Sequence, residues 1–208
     1  DARGFRGLPD EAPLSPMQQT LTPELILTAY VQGIYPMADE NGEIGWYSPS
    51  RRAIFPLDEF RVPRSLAKAL RREPFEIRID TAFEEVIRGC ADREPTWISE
   101  EIIRAYTELH RLGFAHSVEA WREGALVGGL YGVAIRGAFM GESMFSRVSN
   151  ASGACLVALV ERLRARGYLL LDSQTPTRHL LRFGQRLIPR SEYLRRLHQA
   201  LEVERSFR

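Results

Sequence analysis

Asp172 and Gln174 stand two residues apart behind the apolar run Leu169-Leu170-Leu171, so on a continuing strand both side chains project to one side. A carboxylate at the end of a buried strand must find hydrogen-bond donors or shift its pKa. That makes Asp172 a candidate for chemistry, beside the plainer alternative of a cap on the following turn. Glu142, inside the run Gly141-Glu142-Ser143-Met144-Phe145-Ser146-Arg147, is the second acidic candidate, with an ion pair to Arg147 as its structural alternative. Arg64, Lys68, Arg71 and Arg72 fall on one face of a short amphipathic segment. They form either a solvated surface or a phosphate-contacting stripe of the kind nucleic-acid binders use.

The elements that must position these residues follow from periodicity and punctuation. The first twenty residues, with Pro9, Pro13 and Pro16, read as an extended lead-in. Thr22 with Pro23 opens a helix that stops at Gly33, and short strand pieces are expected near Gly45 to Tyr47 and Ala53 to Phe55. A helix over 63–72, a strand near 75–79, a helix capped by a Thr81/Glu84 box and another opened by Ser99 come next. Glu123-Gly124 and Arg136-Gly137 read as hairpin turns of a three-stranded antiparallel meander. Asn150 then begins the longest helix, which ends at Gly167, and a buried strand over 168–172, a helix over 177–183, a strand at Leu187-Ile188 and a helix over 191–201 close the chain. The order implies an α+β fold with a mixed, mainly antiparallel sheet, divided into a small N-terminal domain over 1–60 and a larger one over 61–208.

Composition sets the outer bounds. The 208 residues are 44% apolar and 26% charged, which excludes disordered and fibrous classes. Cys90 and Cys155 are too few for a disulfide framework and have no metal-spaced companions, pointing to a reducing compartment and no metal. The longest apolar run, Ala154 to Val160, is far short of the roughly 20 residues a membrane span needs, and the first residues show no secretory signal. Net charge is +1, with a single lysine, Lys68, among the 28 basic residues. Arginine forks grip phosphate and carboxylate bidentately, so the distribution of these charges matters more than their sum. The meander-to-helix junction is where acetyl-CoA enzymes of the GNAT-like fold carry a glycine-rich pyrophosphate loop. Asn150 and Ser152 occupy the positions glycine would take, so the CoA cradle is missing.

Thr96-Trp97-Ile98, His116 to Trp121, Leu126 to Ala134, the GESMFSR run and Asp172-Ser173-Gln174 together resemble the leucyl/phenylalanyl-tRNA–protein transferase family, colinearly from about Leu25 to Leu201. The resemblance implies a GNAT-like catalytic domain acting in the cytoplasm without cofactor, metal, membrane or DNA. It implies transfer of Leu or Phe, and Met weakly, from aminoacyl-tRNA to the α-amine of proteins beginning with Arg or Lys, marking them for Clp-type proteolysis. By the same resemblance Asp172 and Gln174 orient and deprotonate the amine, and Glu142 holds the cationic acceptor end. Trp97, Phe139 and Tyr106 flank the terminal adenosine, with Tyr30 and Ser143 as further substrate contacts. Leu130, Met144, Leu156, Leu159, Leu163 and Leu171 line the aminoacyl pocket, or else simply the core, and Arg64, Lys68, Arg71 and Arg72 meet the tRNA. The chain departs from the family pattern at Met37, where Trp is usual, at Leu159 and Leu163, where larger aromatics are, at Ser173 for Cys, and at Met17-Gln18-Gln19-Thr20 for a glycine-rich lead-in. A GNAT-like acyltransferase with another acyl donor and a non-catalytic tRNA-binding protein are the alternatives.

Overall fold

The computed structural model describes residues 20–208. The proline-bearing lead-in, with Met17-Gln18-Gln19, lies outside the described residues. In chain order the elements are α1 (Pro23–Val31), β1 (Tyr35–Ala38), β2 (Ile44–Tyr47), β3 (Arg51–Phe55), α2 (Arg64–Arg72), β4 (Glu76–Ile79), α3 (Phe83–Ala91), α4 (Glu100–Arg111), β5 (Ala115–Arg122), β6 (Ala125–Ile135), β7 (Ala138–Ser146), α5 (Ala151–Ala165), β8 (Leu170–Gln174), α6 (Arg178–Leu181), β9 (Arg186–Pro189) and α7 (Arg190–Leu201). β1 and β2 form a small antiparallel pair. The remaining strands make one seven-stranded sheet in the order β4-β5-β6-β7-β8-β3-β9, antiparallel except for the parallel β7–β8 pair. This is the mixed, mainly antiparallel α+β architecture expected from the sequence.

Local chemistry explains most of these boundaries. The Thr22 hydroxyl accepts the Leu25 amide with Pro23 in the first helical position, and Ser99 caps α4 on the Ile102 amide. Glu123 and Arg136 take left-handed φ of 52° ahead of Gly124 and in the 136–137 turn, giving the twist that tight hairpins need. The expected Thr81/Glu84 capping box is corrected: α3 has no side-chain cap, and Thr81 instead bonds Glu119. That buried carboxylate takes the Thr81 and Ala82 amides at 2.9 and 2.8 Å, supplying the α3 end from β5. A contact distant in sequence has replaced the local one.

The sheet has a core on each side. Residues of α1, α3, α4 and α7 pack on one face with Tyr131, Val133 and Met140, and α5 with Leu66, Leu180, Phe183 and Phe207 on the other. β3, from the first third of the chain, sits between β8 and β9 from the last. Gly132 on β6 leaves no room for a side chain, since a Cβ there would lie 2.4 Å from both the Met140 carbonyl oxygen and the Phe139 ring. Gly132→Ala is therefore expected to destabilise the fold by about 1–3 kcal/mol, the usual cost of overpacking, read as a lowered denaturation midpoint with an unchanged m-value.

Candidate active site

Two irregularities in neighbouring strands create the site. Along the β6–β7 ladder Tyr131 pairs with Ser143 and Gly132 with Gly141, so Glu142 is an extra, bulged residue. Along β3–β8, Ala53 pairs with Gln174 and Ile54 with Asp172, so Ser173 is bulged as well. Bulges re-aim side chains next to functional sites. Beyond Met140 and Asp172 the parallel β7–β8 pairing stops, and the strands separate with Glu142 and Gln174 at the opening. Gln174 has a left-handed φ of 55°, uncommon for a residue with a side chain.

Asp172 has found its donors. Arg52 Nη2 donates to Oδ2 at 2.7 Å and Nε to Oδ1 at 3.0 Å; the Tyr193 hydroxyl donates to Oδ2 at 2.8 Å, and the Gln174 amide to Oδ1 at 2.8 Å. Each carboxylate oxygen thus holds two donors, its full complement. Arg52 is 1% exposed, its guanidinium 4.5 Å from the Tyr35 ring centre and 4.3 Å from that of Tyr193, and its Nη1 donates to the Gly33 carbonyl at 2.9 Å. Burial acts against the Arg52 charge, but Asp172 and then Tyr193 outweigh it and raise its pKa above the ordinary value. Burial likewise raises the Tyr193 hydroxyl well above its ordinary value, so it stays a donor at physiological pH. Neither Arg52 nor Tyr193 was flagged by the sequence. The one available signal was an arginine directly before the apolar run Ala53 to Phe55.

Tyr30 and Tyr106 join hydroxyls at 2.6 Å, and the Tyr30 hydroxyl donates to Glu142 Oε1. Gln174 Nε2 also points to that oxygen at 3.5 Å, while Gln174 Oε1 is buried with no partner among the described residues. Tyr30, Tyr106, Glu142, Asp172 and Gln174 are all 0% exposed. Arg147 is not the partner of Glu142; it donates to the Leu126 carbonyl at 3.0 Å. Ser143 is buried behind Glu142 with Arg93 Nη2 3.5 Å from its hydroxyl. Burial pushes the Cys90 thiol up to about 12 and raises Cys155 too, so neither is a nucleophile.

The other expected residues divide between the two faces. Trp97 and Met37 belong to the core that contains Tyr30 and Tyr106. Phe139 lies on the opposite face, its ring 5.2 Å from Phe207, apart from the other aromatics. Leu130, Met144, Leu156, Leu159, Leu163 and Leu171 are brought together on that second face, all at most 3% exposed. Met144 also reaches a cleft of about 420 Å³. Arg64, Lys68, Arg71 and Arg72 are exposed along α2.

The sequence pattern of the leucyl/phenylalanyl-tRNA protein transferases matches residues 54–198, and that of the N-terminal domain of the same proteins matches residues 19–50. The chain belongs to this family. A leucyl/phenylalanyl-tRNA–protein transferase from Rubrobacter xylanophilus is 58% identical over 188 residues, covering 90% of this chain and 98% of its own. One from Gloeobacter violaceus is 56% identical over 193 residues, covering 92% of this chain and all of its own. Among solved structures, a ribosomal-protein-alanine N-acetyltransferase from Brucella melitensis aligns with a TM-score of 0.37 and 15% identity over 51% of this chain and 84% of its own. This family member is an aminoacyltransferase built around the Arg52–Asp172 pair. Removing one partner of a buried ion pair strands the other charge, so Arg52→Leu is expected to lower unfolding free energy by about 3–5 kcal/mol. Tyr193→Phe, which deletes one hydrogen bond to a charge, should lower it by about 2 kcal/mol, both read by denaturant titration.

Proposed function

We propose that the chain moves Leu or Phe, and Met weakly, from aminoacyl-tRNA to the α-amine of proteins beginning with Arg or Lys, in the cytoplasm, as a tag for Clp-type proteolysis. Family membership supports the donor class. The observation that carries the site reading is the Gln174 carboxamide, held at one end toward Glu142 and offering at the other a buried oxygen without a partner among the described residues.

An activated ester and an amine need positioning more than forceful acid or base chemistry, because an α-amine with a reference pKa near 7.7–8 is partly neutral at pH 7. In this reading Gln174 Oε1 accepts one N–H of the attacking amine and aims its lone pair at the ester carbonyl. The C–N bond forms, the bond from the carbonyl carbon to the ribose oxygen breaks, and the proton lost by nitrogen ends on the departing ribose oxygen. Asp172, with both oxygens occupied by donors, serves by fixing the Gln174 backbone and not by taking the proton. Glu142 supplies the negative charge that favours a cationic first residue, with Tyr30 donating to its carboxylate and Tyr106 bonded to the Tyr30 hydroxyl. Trp97 and Tyr106 flank the adenosine from the first face, where Met37 offers a flexible thioether instead of an aromatic wall. The aminoacyl side chain passes through the β7–β8 opening toward Met144, Leu130, Leu156, Leu159, Leu163 and Leu171. Apolar burial separates side chains differing by one methylene by only about 1–3 kcal/mol, which fits weak acceptance of Met.

The test is transfer of radiolabelled Leu and Phe from charged tRNA to an Arg-starting protein, with a Met-starting protein as control. Selective labelling of the Arg-starting protein is expected, and an unlabelled Arg-starting protein would sink the proposal. Gln174→Ala should lower kcat about 100-fold while tRNA affinity holds, as loss of an orienting contact does. A rate within about threefold of wild type would remove Gln174 from the mechanism. Because only the neutral amine attacks, the rate at subsaturating acceptor should rise with pH through about 7–8 and level off above it. A flat profile would contradict amine-limited attack.

A further inference from the structure

Gln174 sits at the apex of a turn that its own backbone does not favour. The Thr175 amide donates to the Ser173 carbonyl at 2.8 Å, which closes a three-residue turn around Gln174 and its φ of 55°. This is the γ-turn with positive φ, the rare and strained form. Such a backbone persists only where its surroundings over-determine it. Asp172 supplies one restraint by accepting the Gln174 amide at 2.8 Å. That bond holds the entry to the turn and leaves its exit to be held from elsewhere.

The second restraint is Gln185. Its side chain, 5% exposed, comes back from the connection between α6 and β9 and lies across the end of β8. Nε2 donates to the Ser173 hydroxyl oxygen at 2.9 Å and to the Thr175 carbonyl at 3.2 Å, so its two hydrogens are spent one on each flank of Gln174. Oε1 accepts the Thr177 amide at 3.1 Å. The Ser173 hydroxyl passes the restraint on to β3 by donating to the Ala53 carbonyl at 3.1 Å, next to Arg52. Gly184 permits the return, since its φ is 92° and a Cβ there would lie 3.0 Å from the Glu59 carbonyl oxygen. The start of α6 does not need this carboxamide, because the Thr177 hydroxyl already accepts the Leu180 amide at 3.2 Å. A buried amide whose bonds all fall within 173–177 braces that segment, and Gln174 is its centre.

We propose that Gln185 is a positioning residue for transfer: it holds the turn that aims the Gln174 carboxamide and touches neither substrate. The inference rests on the Gln174 reading above and extends it to the α6–β9 connection. Without the brace the turn relaxes toward negative φ, and Gln174 Oε1 leaves the line of attack. The cost then falls on kcat, while binding of donor and acceptor stays nearly as it was.

The experiment is a double-mutant cycle on transfer of radiolabelled Leu to an Arg-starting protein at saturating charged tRNA. It pairs Gln174→Ala with Gln185→Met, which keeps the side-chain length and removes its hydrogen bonds. Gln185→Met alone is expected to lower kcat about tenfold, with the acceptor KM within about twofold of wild type. In the Gln174→Ala background the same substitution should change kcat by less than about twofold, because the group it positions is gone. A brace that serves the fold alone would lower the denaturation midpoint and leave the kcat of the folded enzyme unchanged, and that result overturns the proposal. Equal losses in the two backgrounds overturn it as well, since Gln185 then acts by a route that bypasses Gln174. Gln185→Glu keeps the acceptor for the Thr177 amide and loses both donors, so it decides the matter should the Met variant not fold. A kcat as low as that expected for Gln185→Met supports the brace, and full activity refutes it. If Gln174→Ala is slow while both Gln185 variants transfer normally, the brace falls and the Gln174 reading stands. If Gln174→Ala itself stays within about threefold of wild type, both fall.

Discussion

The ion pair of Arg52 with Asp172 is the interaction on which the architecture turns. Two opposite charges lie 2.7 Å apart at 1% and 0% exposure, where either alone would cost several kcal/mol to keep ionised. Their neighbours are recruited to satisfy them. The Gly33 carbonyl fixes the end of α1, and with it the helix that carries Tyr30. Tyr193 brings in α7, Tyr35 brings in β1, and the Gln174 amide shapes the end of β8. One polar centre thus locks two helices, the small β1–β2 pair and the middle of the main sheet into a single register.

Around that fixed point the sheet is deliberately imperfect. The bulges at Glu142 and Ser173 fall on the adjacent strands β7 and β8, where their parallel pairing ends. A regular strand alternates its side chains between faces. Phe139 and Met144 share a face although they are five residues apart, which alternation alone forbids and the extra residue permits. The same irregularity turns the Glu142 carboxylate toward Tyr30 and Gln174. The left-handed backbone of Gln174 is the accompanying strain, tolerated because its amide is tied to Asp172.

Much of this was legible in the residues. The hairpin turns at 123–124 and 136–137, the Asn150 start of α5 and the basic face of α2 are local signals, and local signals set those elements. Asp172, Gln174 and Glu142 stood out because acids and amides at the ends of apolar runs demand an explanation. Arg52 did not, since it is one of many arginines and its partner lies 120 residues away. The Thr81/Glu84 box failed for a related reason: a buried carboxylate from β5 displaced the nearer one. The place of Phe139 also depends on a bulge, which leaves no mark in hydrophobic periodicity.

The position of β3 has a consequence for biosynthesis. Both of its neighbours in the sheet, β8 and β9, lie in the last fifth of the chain. As the polypeptide leaves the ribosome, the strand bearing Arg52 emerges with no edge to join, and Tyr193 follows 141 residues later. The β4–β7 meander pairs locally and can form while the rest is still being made, but β3 must wait for the C-terminal strands. Long-range pairing of this kind is also slow to form, because loop closure precedes any compensating contact. A nascent chain, or one shortened by a broken message, therefore carries the α2 cations without the Arg52–Asp172–Tyr193 cluster, which is complete only once α7 has been made.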